Sequence, residues 1–348
     1  MSAGENMRRP DLRRRIKIGL WVIGIGLASG FVLLNVLAYN HAYAMTHYAA
    51  EGVRTKKPER LSVADTLKVL VRGVRVIRPV SDRKPAELDP SCEALTLATA
   101  DGGTLSAWYC ERGMATPLVL VFHGYAFEKT KLLPEAKAFL ELGASVLLVD
   151  FRGSGGSSGS ATTIGVREAD DVAAVVRYAK ARLPHATTVL FGQSMGAVAI
   201  LRAVSERSVA PDAVILEAPF DTLLDAVRNR FISMHVPPFP SAELLVFWGG
   251  LQCGFNGFRH NPADYAKALR CPALFMHGSR DLRVSVKEGR RVFAAAPEPK
   301  AYHEFEGVGH ESYVVYNPIE WKAEVSKFLV GSHVMNHSRS GMIRNDDR

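Results

Sequence analysis

The chain predicts an α/β fold, a mainly parallel sheet with helices on both faces, preceded by one transmembrane helix. Three observations predict it. From residue 117 onward, short continuous apolar runs alternate with stretches of helical periodicity, the pattern of strands buried on both faces. Around Ala100-Asp101-Gly102 two runs of alternating polarity flank a turn, which adds an antiparallel edge. From Ile18 to Ala50 there is no Asp, Glu, Lys or Arg. Within that run Ile18–Tyr39 gives about 33 Å of helix, enough to cross the hydrocarbon of a bilayer.

Residues 1–17 form a basic N-terminus of net charge +4. By the positive-inside rule this end stays in the cytoplasm, so the bulk of the chain lies on the periplasmic, extracytoplasmic side. The span at 18–39 is longer than the apolar core of a cleaved signal, so a signal anchor is expected. Ala42-Tyr43-Ala44 keeps a cleavage site open as the alternative. Residues 40–90 read as a juxtamembrane region and linker of net basic charge, with an amphipathic helix at Ser62–Val71 capped by Ser62.

A globular domain is expected over 91–331. Its strands are the hairpin runs before 110, then 117–124, 145–153, 187–192, 212–220, 271–281 and the alternating 300–307. Helices fall near 132–142, 167–183, 195–205 and 318–329. Residues 221–270 interrupt this rhythm with an apolar, aromatic, Pro- and Gly-punctuated insertion, which reads as a lid. The polar tail 332–348 is expected to be disordered. A three-residue hairpin loop with Gly102 at positive φ sets Thr99 against Gly103 and Cys92 against Cys110. A disulfide between these two is one reading; two small buried residues are the other.

The net charge of +8 does not imply nucleic acid, because it sits at the N-terminal end and residues 88–331 sum to −2. No Cys-x-x-Cys, His-Glu-x-x-His or P-loop pattern is present, so neither a metal nor a cofactor is expected.

Chemistry is carried by Gly192-Gln193-Ser194-Met195-Gly196. A strand precedes it and a helix follows, so Ser194 falls on a sharp turn. Glycines two residues either side leave room for that turn, and the N–H of Met195 points toward a developing oxyanion. A serine needs a base and an orienting acid. Asp281, after the strand at 271–281, and His310, in the loop after 300–307, follow in the order this architecture uses. All three fall past strand C-terminal ends, where open α/β sheets bind ligands. Glu217 and Asp221 remain alternative acids. His123 and His277 read as local hydrogen-bonding residues, and His303 as structural.

From about residue 90 to 330 the chain resembles the α/β-hydrolase superfamily, in the serine hydrolase branch of serine aminopeptidases and prolyl-oligopeptidase-like catalytic domains. The resemblance rests on VFHGYA, LVDFRGSGGSSG, FGQSMG and HGSRD with GVGHES. It implies an α/β-hydrolase fold with a small helical lid, and the N–H of Tyr125 as the second oxyanion donor. The expected activity is hydrolysis of a carboxylic ester or thioester through Ser194, His310 and Asp281. The aromatic lid residues Phe239, Phe247, Trp248, Phe255 and Phe258, with the anchor, suggest a small-molecule or lipid-like acyl substrate; packing of the lid's own core is the other reading of them. The alternatives are a serine peptidase and a catalytically silent, membrane-tethered binding domain.

Overall fold

The computed structural model describes residues 12–56, 60–183, 185, 187–332 and 334; most of the basic N-terminus (residues 1–11) and nearly all of the tail lie outside the described residues. The strands are β1 (Cys92–Ala98), β2 (Thr104–Cys110), β3 (Leu118–Phe122), β4 (Ser145–Val149), β5 (Thr188–Gln193), β6 (Ala213–Glu217), β7 (Ala273–Gly278) and β8 (Lys300–Phe305). They form one sheet in the order β1-β2-β4-β3-β5-β6-β7-β8. The β1–β2 and β2–β4 pairs are antiparallel and the rest parallel. Strand order reverses at β3, which has β4 on one side and β5 on the other, so the crevice of a doubly wound sheet opens at the ends of β3 and β5.

The edge hairpin follows its turn chemistry. Gly102 has φ 83°, the Thr99 N–H donates to the Gly103 carbonyl at 2.9 Å, and Cys92 lies opposite Cys110, to which it is disulfide-bonded. The apolar runs are strands with two buried faces. In β3, Leu118, Leu120 and Phe122 pack into one core layer while Val119 and Val121 pack into the other.

The helices are α1 (Leu12–Thr46), α2 (Val63–Arg72), α3 (Leu133–Glu141), α4 (Glu168–Arg182), α5 (Met195–Glu206), α6 (Leu223–Ser233), α7 (Ser241–Cys253), α8 (Pro262–Ala266), α9 (Val286–Ala295), α10 (Tyr313–Tyr316) and α11 (Pro318–Gly331). Residues of α4, α5, α8 and α9 fill the core on one face of the sheet, and residues of α3, α10 and α11 fill the other. Helix α9 falls outside the expected helices, although Ser285 and Glu288 form the capping box that starts it.

A third, smaller core joins Ala42 and Met45 of α1 to α6 and α7. The segment expected as linker therefore begins as helix. α1 runs seven residues past Tyr39, and Ala42, Met45 and Thr46 are buried against the insertion 221–270. Nearer the N-terminus every residue from Arg13 to Leu34 is exposed, in a helix of mean hydropathy 2.2 that is a candidate membrane span. α2 starts at Ser62, whose Oγ accepts from the Asp65 N–H at 3.1 Å.

Candidate active site

Strand β5 ends at Gln193 and α5 begins at Met195, so Ser194 alone makes the corner, with φ 52° and ψ −113°. The flanking glycines are required by contact. A Cβ on Gly192 would lie 2.5 Å from the Ala197 nitrogen, and one on Gly196 would lie 2.3 Å from the Phe122 carbonyl oxygen. The Ser194 N–H donates to the Glu217 carbonyl at 2.7 Å, which ties the corner to the next strand. As the first residue of α5, Met195 has an N–H with no acceptor inside its own helix.

The structure brings the three predicted side chains into one chain of contacts. His310 Nε2 lies 3.1 Å from Ser194 Oγ, and His310 Nδ1 lies 2.6 Å from Asp281 Oδ2. The other carboxylate oxygen of Asp281 accepts from the backbone N–H groups of Arg283 at 2.8 Å and Val284 at 2.9 Å. Burial is the largest influence on Asp281 and pushes its carboxyl up. The electrostatic attraction of the His310 imidazole, its hydrogen bond and that of the Val284 N–H outweigh it, leaving the group below its ordinary value.

The alternative acids are engaged elsewhere. Glu217 accepts from Trp321 Nε1 at 2.7 Å and Gln193 Nε2 at 3.3 Å, and Asp221 pairs with Arg291. His123 is locked between neighbours. Its Nε2 accepts from the Phe151 N–H at 3.0 Å, which leaves Nδ1–H to donate to the Gly124 carbonyl at 2.8 Å. His277 Nε2 bonds the Val284 carbonyl, and His303 bonds Glu320.

Ser194, His310, Tyr125 and Met195 line a cavity of about 520 Å³. The Tyr125 hydroxyl donates to the Met45 carbonyl at 2.6 Å, and the Arg230 guanidinium lies 5.4 Å from the Tyr125 ring centre. The aromatic lid residues that suggest an acyl substrate do not line this space. Phe127, Phe220 and Phe231 do so instead. Trp248 is turned to Asn35 and Tyr39 of α1, Phe255 packs against His260, and Phe239, Phe247 and Phe258 are exposed.

One whole wall of the cavity comes from the segment expected as linker. His41 and Met45 of α1, Val69 and Leu70 of α2, and the strip between the two helices face the cavity. Its lining also carries Arg54, Lys56, Arg60, Arg75, Arg230 and Arg283, and no Asp or Glu among the described residues. The dense basic charge between 51 and 87 was the available signal. Among the described residues no group of three or more His, Cys, Asp or Glu side chains is placed to hold a metal ion.

Residues 114–237 match the family described as serine aminopeptidase, S33. An uncharacterized protein of Mycobacterium tuberculosis (strain ATCC 25618 / H37Rv) is 30% identical over 249 residues, which cover 71% of this chain and 82% of that protein. The lysophosphatidylserine lipase ABHD12 of Rattus norvegicus is 28% identical over 238 residues; these cover 64% of this chain and 58% of the rat protein. Among solved structures the Pyrococcus furiosus esterase Pf2001 superposes with a TM-score of 0.63 at 25% identity, over 73% of this chain and 96% of that one.

Proposed function

The chain belongs to the α/β-hydrolase superfamily, and from that premise we propose that it is a membrane-anchored serine hydrolase cleaving a carboxylic ester or thioester of a lipid-like acyl group. The observation that carries this reading is the unbroken contact from Asp281 through His310 to Ser194 at the cavity wall.

In the proposed reaction His310 Nε2 takes the Ser194 proton as Oγ attacks the acyl carbonyl. Asp281 holds Nδ1–H toward itself, which leaves Nε2 free to act as base and stabilises the imidazolium that forms. The N–H groups of Tyr125 and Met195 receive the oxyanion. Each such donor contributes about 2.7–4 kcal/mol in enzymes of this kind. The imidazolium then protonates the leaving alcohol or thiol, and water, deprotonated by His310, releases the acid from Ser194.

A peptidase reading has one observation behind it, the family description matched at 114–237. Holding a free α-amine calls for a carboxylate, and the described cavity lining has cations in its place. That charge favours an anionic head on the substrate. The name of the rat relative, a lysophosphatidylserine lipase, supports a single-chain phospholipid as the first ester to test. The Cys92–Cys110 disulfide supports an extracytoplasmic catalytic domain, since such bonds persist in oxidising compartments.

The test compares the full-length protein with Ser194→Ala on three substrates: a monoacyl phospholipid, a p-nitrophenyl acyl ester and an aminoacyl-anilide. Turnover of both esters by the wild type alone is expected. Turnover confined to the anilide would replace the ester reading by the peptidase one. Inertness toward all three would favour a silent binding domain.

A further inference from the structure

Two apolar surfaces, one on α2 and one on α7, are left uncovered by the fold. On α2, Val63, Leu67 and Val71 repeat at intervals of four and form one stripe, flanked by Lys68 and Arg72. On α7, which carries a single charged residue, Glu243, Phe247 and Leu251 also face outward. All five apolar side chains are between 49% and 82% exposed.

Their position relative to α1 gives them an occupant. α7 runs beside the last turns of α1. Trp248 Nε1 donates to Asn35 Oδ1 at 3.1 Å, its ring meets Tyr39 edge-on, and Gln252 Nε2 donates to the Tyr39 carbonyl at 2.9 Å. Asn35 and Tyr39 belong to the charge-free stretch that reads as the span. A helix fastened at that height lies at the depth of the bilayer, where tryptophan and tyrosine collect at the interface. The cavity follows directly. His41 and Met45 are two and six residues beyond Tyr39, about 3 Å and 9 Å along the helix. α2 completes the geometry, since Val69 and Leu70 face the cavity while its stripe faces out, with basic residues alongside to meet anionic lipid heads.

We propose that α7 and the outer stripe of α2 are embedded in the leaflet where α1 ends, so that the cavity opens onto the membrane interface and takes its substrate laterally from the bilayer. The occupant of both surfaces is lipid. The route rests on the hydrolase reading above; the embedding does not.

The full-length protein is reconstituted in vesicles of phosphatidylcholine and phosphatidylglycerol, as the parent chain and as Leu67→Trp or Leu251→Trp. The emission that each added tryptophan contributes is expected to be quenched by lipids brominated on their acyl chains and spared by aqueous iodide. Quenching by iodide and not by brominated lipid would overturn the embedding. A second arm measures a vesicle-resident long-chain ester and a water-soluble short-chain ester with Phe247→Glu/Leu251→Glu and Leu67→Glu/Val71→Glu. Turnover of the resident ester should fall at least tenfold and that of the soluble ester stay within twofold. An equal change on both esters would overturn the lateral route. A parent chain inert on both esters, with the added tryptophans still quenched by brominated lipid, would sink the hydrolase reading and leave the embedding standing.

Discussion

At Ser194 the backbone enters a region that L residues avoid, and the atoms around it say what holds it there. The Phe122 carbonyl and the Ala197 nitrogen stand where side chains at 196 and 192 would go. Gly196→Ala is therefore expected to open the corner and move Oγ away from His310. Ester turnover should fall at least a hundredfold, with a lower Tm, measured on the same preparation by hydrolysis and by thermal scan. Asp281→Asn is a milder change in shape, because Oδ1 can still accept from Arg283 and Val284. It presents an amide to His310 and selects the wrong tautomer, so kcat should drop by about 10⁴ with KM little changed. These residues were legible in the sequence because local rules dictate them: strand, tight turn and helix leave few ways to place a serine between two glycines. Asp281 was less so. Its distinction from Glu217 and Asp221 lies in which carboxylate the folded loop turns toward His310, and neither spacing nor residue type contains that.

Among the elements, β6 shows how a buried charge is managed behind the site. Glu217 ends the strand fully buried, and burial, then the nearby charge of Glu135, push its carboxyl well above the ordinary range. Burial raises Glu135 in the same direction, with the Ser312 hydroxyl donating to it. In the unfolded chain both ionise near pH 4.3. As pH rises past that value the unfolded state loses protons that the folded state keeps, so stability falls until the buried groups ionise too. Tm measured from pH 5 to 9 should decline toward alkaline pH, and Glu217→Gln should flatten that slope, whatever it does to Tm itself. The strands around Glu217 were readable as apolar runs, since burial on both faces leaves little room for polar residues. The cavity wall made by α1 and α2 was not. Helical periodicity marks α2 as amphipathic, but its apolar residues divide between the cavity and the outside, and only packing assigns them.

For the molecule as a whole, the candidate membrane span, the insertion 221–270 and the cavity of the candidate site form one continuous stack. α1 leaves the charge-free stretch, packs on α7 and reaches the cavity through His41 and Met45. The lack of charge from Ile18 to Ala50 marks the candidate span in the sequence. The packing of its last turns on α7 was hidden, because it depends on residues about 200 positions later in the chain. With six Arg/Lys before the span, a reporter active only in the periplasm, fused after Leu329, should be active; inactivity would invert the topology.

The central claim is that Ser194 is a nucleophile made reactive by His310. It is tested most directly by treating membranes with a fluorophosphonate and locating the adduct by peptide mass. The account predicts a single adduct on the peptide containing Ser194, absent in Ser194→Ala and strongly reduced in His310→Ala. Labelling that persists in Ser194→Ala, or a wild type that takes no label, would contradict it.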